Sequence, residues 1–362
     1  MLNNKAAAID AQIKDLVKKQ KNSCAKKSWW LLGGFFILLI LTVFSLTVGA
    51  ADISIADSFK AFFAKILPFI NIDIDPIYVD IIWDMRMPRI ATALICGCAF
   101  GIAGTAMQGV TRNPLVEPYT IGVSAAAGFG ASLALILGLS MVGGNFIISL
   151  VAFSFAMLAV GGVYLIAKMK NLSPESLVLS GVAVTYLFSA ATSFLHYGAT
   201  EQQLTEVVHW LFGSLSGISW VNITLILAAF ILAFIIIFSQ AWNLNALAGG
   251  EDTASSLGVK TSRTRFLCMG ASALTTAVAI SFTGIIGFIG LLAPHISRMI
   301  IGQDHRFLVP FSCIVGAVLL LASDAIGRII LAPIEIPVGI MTAFVGVPFF
   351  IYIMIRNRKR GL

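Results

Sequence analysis

The chain has 362 residues, 58% of them hydrophobic and only 11% charged, with a mean hydropathy of +0.94. A soluble domain carries about 25% charged residues, so the composition excludes a soluble enzyme or binding module and places the chain in the membrane class. A net charge of +7 would suit nucleic acid, but the basic residues lie between apolar runs and at the two ends rather than on one folded face. That pattern is the signature of positive-inside topology.

Residues 5–27 carry seven lysines and an apolar series, Ile9, Ile13, Leu16 and Val17, at helical spacing. This predicts a basic amphipathic arm over 1–28, lying on the cytoplasmic surface against solvent or lipid headgroups. No small-residue cleavage site follows a short apolar core, so the first apolar run is expected to stay in the protein. Ten apolar stretches of span length follow, near 29–48, 90–108, 121–139, 146–167, 177–197, 221–238, 266–282, 285–301, 308–325 and 339–355. Pro294 is expected to kink or begin the eighth. The expected architecture is therefore all-α, one membrane domain over 29–356, a basic tail over 357–362, and both termini in the cytoplasm. With that orientation all 24 basic residues fall inside except Lys60, Lys65, Arg86, Arg89 and Arg328, while acids such as Asp52, Asp84, Asp324 and Glu335 fall outside.

Within the spans small residues recur at helix-contact spacing: Gly97, Gly101 and Gly104; Gly122, Ala126 and Gly130; Gly339, Ala343 and Gly346. Such residues let helices approach closely in lipid, where packing drives association. The fifth span adds a mildly polar stripe of Gly181, Thr185, Ser189, Thr192 and His196. Two readings stand open for it: interhelical packing with local hydroxyl bonds, or, together with Gly339 and Ala343, the lining of a wide path.

The stretch 242–263, between the sixth and seventh spans, differs from everything around it. Two short helical runs, 244–248 and 251–257, are split by Gly249 and Gly250, and neither is long enough to cross a bilayer. Glu251 and Asp252 suit a helix N-terminus and Gly258 a left-handed C-terminal cap. This predicts a surface element that offers Ala254 and Leu257 to something outside the lipid.

Several chemistries find no support. No G-x-x-x-x-G-K phosphate loop occurs, so this chain does not itself hold ATP in that way. No span carries a carboxylate at its middle, which counts against an ion-coupled secondary transporter, the main alternative. Neither a metal-ligand spacing nor a nucleophile–base set argues for catalysis, and His295 stands alone beside Pro294. The five scattered cysteines read as small buried thiols.

In combination, RMPRIATALICGCAFGIAGTAMQGVTRNPLVEP (86–118), WLFGSL (210–215), GEDTASSLG (250–258), GFIGLLAPHISR (287–298) with DHR (304–306), and EIPVGIMTAFVGVPFF (335–350) resemble the permeases of the iron siderophore, haem and vitamin B12 type of ABC importer. The resemblance implies a homodimer with its path on the dimer axis, two cytoplasmic ATPase subunits that use ATP and Mg, and an external solute-binding protein. It implies no cofactor in this chain. The ATPase-coupling residues it implies are Leu244, Leu247, Gly250, Glu251, Ala254, Leu257 and Gly258. A cytoplasmic gate is implied at Asn113, Pro114 and Leu115 and at the turn holding Ser173 and Pro174. On the outer face, Arg86 and Arg328, with Arg89, match family arginines onto which carboxylates of the binding protein dock. From the residues alone Arg86 wants an acidic partner, because it stands at the positive end of a helix, and Asp84 is the nearest candidate.

Overall fold

The computed structural model describes residues 2–358 except 50, 52, 68, 70, 71 and 171. Asp52, Lys359 and Arg360 lie outside the described residues, as do the side chains of Ile9, Ile13, Leu16, Val17, Arg356 and Arg358. Each described element is helical.

Helix α1 (Leu2–Thr47) has 46 residues, which at 1.5 Å per residue is about 69 Å, more than twice the hydrocarbon thickness of a bilayer. The basic arm is thus the continuation of the first span, with no backbone break near residue 28, and not a separate helix lying on the surface. Nothing in that stretch stops a helix, since neither Gly nor Pro occurs before Gly33.

On the expected outer side two short helices follow. Ser54 caps α2 (Ile55–Ile66), its hydroxyl accepting from the Asp57 amide, and Pro76 opens α3 (Pro76–Asp80). A π-helical turn, Ile81–Arg86, then runs into α4 (Met87–Thr111).

Helix α4 is the axis of the fold and is buried along most of its length. A β-carbon on Gly97 or Gly101 would strike the Gly316 or Ser312 carbonyl of α14 (His305–Ile329), and one on Gly104 would strike the Gly290 carbonyl of α13 (Ile289–Ile301). The expected small-residue contacts are therefore real approaches of one backbone to another. Between these elements run α5 (Val123–Ile136), α6 (Ser140–Lys168, interrupted by non-helical Gly143 and Gly144), α7 (Pro174–Tyr197), α8 (Glu201–Leu211), α9 (Trp220–Ser239), α10 (Ala241–Ala248), α11 (Glu251–Ser256) and α12 (Thr261–Thr283). The last helix is α15 (Val338–Arg358).

Among the described residues, seven helical segments are long and apolar enough to cross a membrane, and three shorter apolar helices, Val123–Ile136, Ile289–Ile301 and Val338–Tyr352, add to them. Each of the ten expected stretches falls on one of these. Pro294 sits inside α13 rather than at its start.

The short helices have a consequence for charge. At 14 and 13 residues, α5 and α13 span only about 20 Å each; a short 3-10 turn, Pro118–Ile121, precedes the first and the irregular stretch 284–288 the second, and such backbone is tolerated because it is enclosed. The Tyr119 hydroxyl donates to the Ile286 carbonyl across these two segments at 2.5 Å. Glu117 is carried in with them. The position of a β-carbon on Gly290 lies 3.3 Å from Glu117 Oε2 and 3.5 Å from the Phe100 carbonyl, which is halfway along α4. The spans themselves carry no carboxylate at their middles, as expected, but Glu117, which belongs to a connection by sequence, is brought beside the middle of α4 in space.

Candidate functional site

The two short runs of 242–263 fold as α10 and α11, with Gly250 at φ 109° between them and Gly258 at φ 80° after them. Both values lie in the left-handed half of backbone space, where only glycine is at ease. Leu244, Leu247 and Ala254 are fully buried in a cluster with Ile102 and Val110 of α4, Ile237 of α9, Cys268 of α12 and Val309 of α14. This corrects the expectation that Ala254 faces outward. Together with Leu244 and Leu247 it fixes the element to the membrane domain, because apolar side chains at that spacing bury one stripe of each helix.

Polar bonds add to the fixation. Both Glu251 oxygens accept from the Arg265 guanidinium, at 2.9 and 3.0 Å, and Arg265 is itself buried. That pairing holds the Glu251 carboxyl below the usual carboxylate range. Asn245 donates to Asp304 at 2.9 Å and accepts the His305 amide at 2.8 Å. Burial opposes ionisation of Asp304, but hydrogen bonds from Arg306 and Asn245 outweigh it and hold the carboxyl well below its ordinary range. Arg306 stacks over Trp242 at 4.2 Å, and Lys27 of α1 reaches Asp304 at 3.9 Å. The outward face of the element is left to Leu257, 69% exposed, and Trp242, 66% exposed. Trp242 was not among the expected contact residues, although an aromatic residue at the start of the most polar connection was its signal.

At the expected gate, Arg112 adopts φ 51° and the Asn113 side chain accepts the Leu115 amide at 3.0 Å, leaving Pro114 and Leu115 exposed. The second turn is built alike: Leu172 has φ 54°, the Ser173 hydroxyl caps α7 by accepting the Ser176 amide at 3.2 Å, and Pro174 opens the helix. Both are stiff turns that follow a long helix, α4 in the first case and α6 in the second.

The three outer arginines point inward. Arg86 is 5% exposed and donates to the Leu46 and Ala51 carbonyls, each at 2.6 Å. Arg328, 3% exposed, donates to Ser45 and the Val48 carbonyl and pairs with Asp324 at 3.1 Å. Arg89 bridges Asp324, at 2.8 Å, and Glu335. The expected partner of Arg86, Asp84, lies instead 3.9 Å from Lys65. Arg86 has its positive charge met by carbonyl dipoles, because the chain leaving α1 folds over it. All three guanidiniums still reach the wall of one cavity of about 360 Å³ that also touches Glu335 and Ser216.

The expected path residues divide into two groups. Gly181 packs so tightly on the Thr120 carbonyl that a β-carbon would not fit, and the Thr185 and Thr192 hydroxyls bond back to Gly181 and Phe188 carbonyls at 2.8 Å. Gly181 is thus a close backbone approach and the two hydroxyls are satisfied within α7, which leaves both readings of the stripe open; Ser189 is exposed on α7. Gly339 and Ala343 instead line a cavity of about 610 Å³ with Phe212, Phe288, Phe344 and Val347, almost wholly apolar.

Residues 37–356 match the family model described as the FecCD transport family. Among curated proteins the chain is similar to the molybdate import system permease of Haemophilus influenzae (36% identity, covering 89% of this chain and 94% of that one). It is also similar to the iron(3+)-hydroxamate import system permease of Bacillus subtilis (35%; 88% and 80%) and to the cobalamin import system permease of Halobacterium salinarum (37%; 78% and 75%). A solved structure described as an inward-facing metal-chelate type ABC transporter superposes with a TM-score of 0.78 at 32% identity, covering 91% of this chain and 99% of that one.

Proposed function

The chain belongs to the FecCD transport family, and from that premise we propose that it is the permease of an ATP-driven importer whose cargo is a bulky metal chelate, an iron siderophore, haem or cobalamin. It is a multi-pass permease subunit of an ABC importer in the inner membrane, and ABC permeases of this family work with ATPase subunits and substrate-binding proteins. The finer assembly we propose has ten spans with both termini cytoplasmic, two copies of this chain around a central path, and two ATPases that carry the ATP and Mg.

The observation that supports the cargo class is the 610 Å³ cavity beside Gly339 and Ala343. Among the candidate chelates haem presents the largest apolar surface to such walls, and any chelate spreads its few charges over far more atoms than a small oxyanion does. A small oxyanion such as molybdate would lose its hydration there without a donor to replace it. Uptake into proteoliposomes holding the permease, its ATPase and its binding protein tests this, with ferric hydroxamate, haem, cobalamin and molybdate offered in turn. Uptake of a chelate and not of molybdate is expected; molybdate uptake alone would contradict the cargo class.

Coupling is assigned to α10 and α11, the gate to the Asn113–Leu115 and Ser173–Pro174 turns, and docking of the binding protein to the outer cavity that Arg86, Arg89 and Arg328 enter. ATP binding in the partner moves α10–α11, and because that element is bonded to α12 through Glu251–Arg265 and to the start of α14 through Asn245, the displacement becomes a two-state rearrangement of the bundle. Deleting residues 2–25 while retaining Lys26 and Lys27 should preserve uptake, since Lys27 makes the described link to Asp304. Lost uptake with normal insertion would give the arm a regulatory role.

A further inference from the structure

We propose that the groove where α6, α8, α9 and α12 meet is a binding site for one membrane phospholipid with a primary-amine headgroup, of the phosphatidylethanolamine kind. Two cavities make the groove. One, of about 260 Å³, has a mixed wall that includes Glu206 and Trp210 of α8 and Asn145 of α6. The other, of about 200 Å³, is almost wholly apolar and lies between Phe153 of α6, Leu225 of α9 and Val278 of α12. Ser149, Ser281 and Phe282 wall both, so a polar arm and an apolar arm adjoin.

The polar arm sits at the depth where a bilayer changes from hydrocarbon to headgroup. Helix α8 has 11 residues, too few to cross, and follows the end of one span, α7, and precedes the start of the next, α9. Asn145 directly follows the Gly143–Gly144 interruption of α6, and Ser281 and Phe282 lie in the last turn of α12. Tryptophan is enriched at that depth because its ring is apolar and its N–H polar. The apolar arm leads away from the headgroup level, since Phe153 is about two turns further along α6 than Asn145. It opens to the lipid side, where Phe146, Leu150 and Leu225 are half-exposed.

The polar arm selects the headgroup. The Ser149 and Ser281 hydroxyls donate to the Asn145 and Val278 carbonyls of their own helices, at 3.1 and 2.8 Å, so neither is left for a ligand. The Glu206 carboxylate, the Asn145 amide and the Trp210 indole N–H remain. Among the described residues no ion pair engages Glu206, and neither cavity has a basic side chain in its lining. An anionic lipid would bring its phosphate to a carboxylate with no cation to meet it. An ammonium headgroup instead gives Glu206 a charge-assisted hydrogen bond, while the Asn145 amide and the indole N–H are donors for the phosphate of the same lipid. The apolar arm holds an acyl chain by close packing, because lipid tails are already in an apolar solvent, and the headgroup therefore carries the selectivity. Leu211 and Phe212, which follow Trp210, wall the 610 Å³ cavity. On the reading of that cavity as the cargo path, a lipid seated against Trp210 braces the path wall from behind.

Native mass spectrometry of the purified, delipidated full chain in detergent is the test, with phosphatidylethanolamine and phosphatidylglycerol of the same acyl chains offered in equal amounts. A single phosphatidylethanolamine adduct is expected, retained at least about tenfold over phosphatidylglycerol. Glu206→Gln, at an exposed residue, should remove that preference without changing the melting temperature. Leu225→Trp, which fills the apolar arm from the lipid side, should lower the retained phosphatidylethanolamine. Equal retention of phosphatidylglycerol, or a preference that survives Glu206→Gln, overturns the proposal. So does a Leu225→Trp variant that retains phosphatidylethanolamine like its parent, because no acyl chain then enters the groove. These readouts report binding alone, so they stand or fall separately from the reading of the 610 Å³ cavity as the path.

Discussion

Leu257→Asp is expected to give a permease that inserts and folds normally but no longer retains its ATPase. Leu257 is the large apolar side chain at the end of α11 that the fold does not use, 69% exposed, while its neighbours Leu244, Leu247 and Ala254 are committed inward. Placing a carboxylate there costs the free chain almost nothing in water. In a desolvated contact the same carboxylate costs several kcal/mol, and at about 1.4 kcal/mol per factor of ten that is enough to lose a complex during purification. Ala254→Asp makes the control. It puts a carboxylate into the chain's own core, so it should lower the folded yield itself. Co-purification of the ATPase at the normal ratio with Leu257→Asp would remove α11 from the docking surface.

Asp324→Ala should destabilise the protein by about 3–5 kcal/mol, because it leaves Arg328, and in part Arg89, as buried cations without their shared carboxylate. Against a net stability of the order of 5–15 kcal/mol, this should appear as a strongly reduced yield and a lower melting temperature in detergent. Glu335→Gln removes only the half-exposed arm of the same network and should cost about 0–1 kcal/mol. Reversing Arg86 or Arg328 belongs with the first of these, since Arg328→Glu would set a second carboxylate against Asp324. Such variants read out folding before they read out docking. An Asp324→Ala protein that melts like its parent would show that water reaches the cluster and that its charges are not enclosed.

What was legible in the sequence was whatever depended on local pattern. Apolar runs located the helices, glycine spacing located the contacts of α4 with α13 and α14, and the Gly250 and Gly258 breaks located the two short helices α10 and α11. What was not legible depended on which chain segment folds back over which. Arg86 stands in a connection on the outer side, so it reads as exposed, yet residues 46–51 supply the carbonyls that enclose it. Ala254 and Leu257 are three apart on a short helix, and nothing local separates the one that packs inward from the one that remains free. Glu117 lies between helices by sequence but beside Phe100 in space, because a 14-residue helix leaves room for its connection inside the bundle. With Glu117 in place, the lack of a carboxylate among the apolar runs no longer argues against ion coupling. The family match over residues 37–356 takes over that part of the argument.

The central claim, that this chain is a path whose work comes from a separate ATPase, is tested most directly by purifying it from native membranes, reconstituting what co-purifies, and measuring cargo uptake with ATP inside or outside the vesicles. The account predicts a bound ATPase and uptake that requires ATP on the face carrying α10 and α11, unaffected by collapsing proton and sodium gradients. Uptake by the permease alone, driven by an ion gradient and abolished by Glu117→Gln, would contradict it.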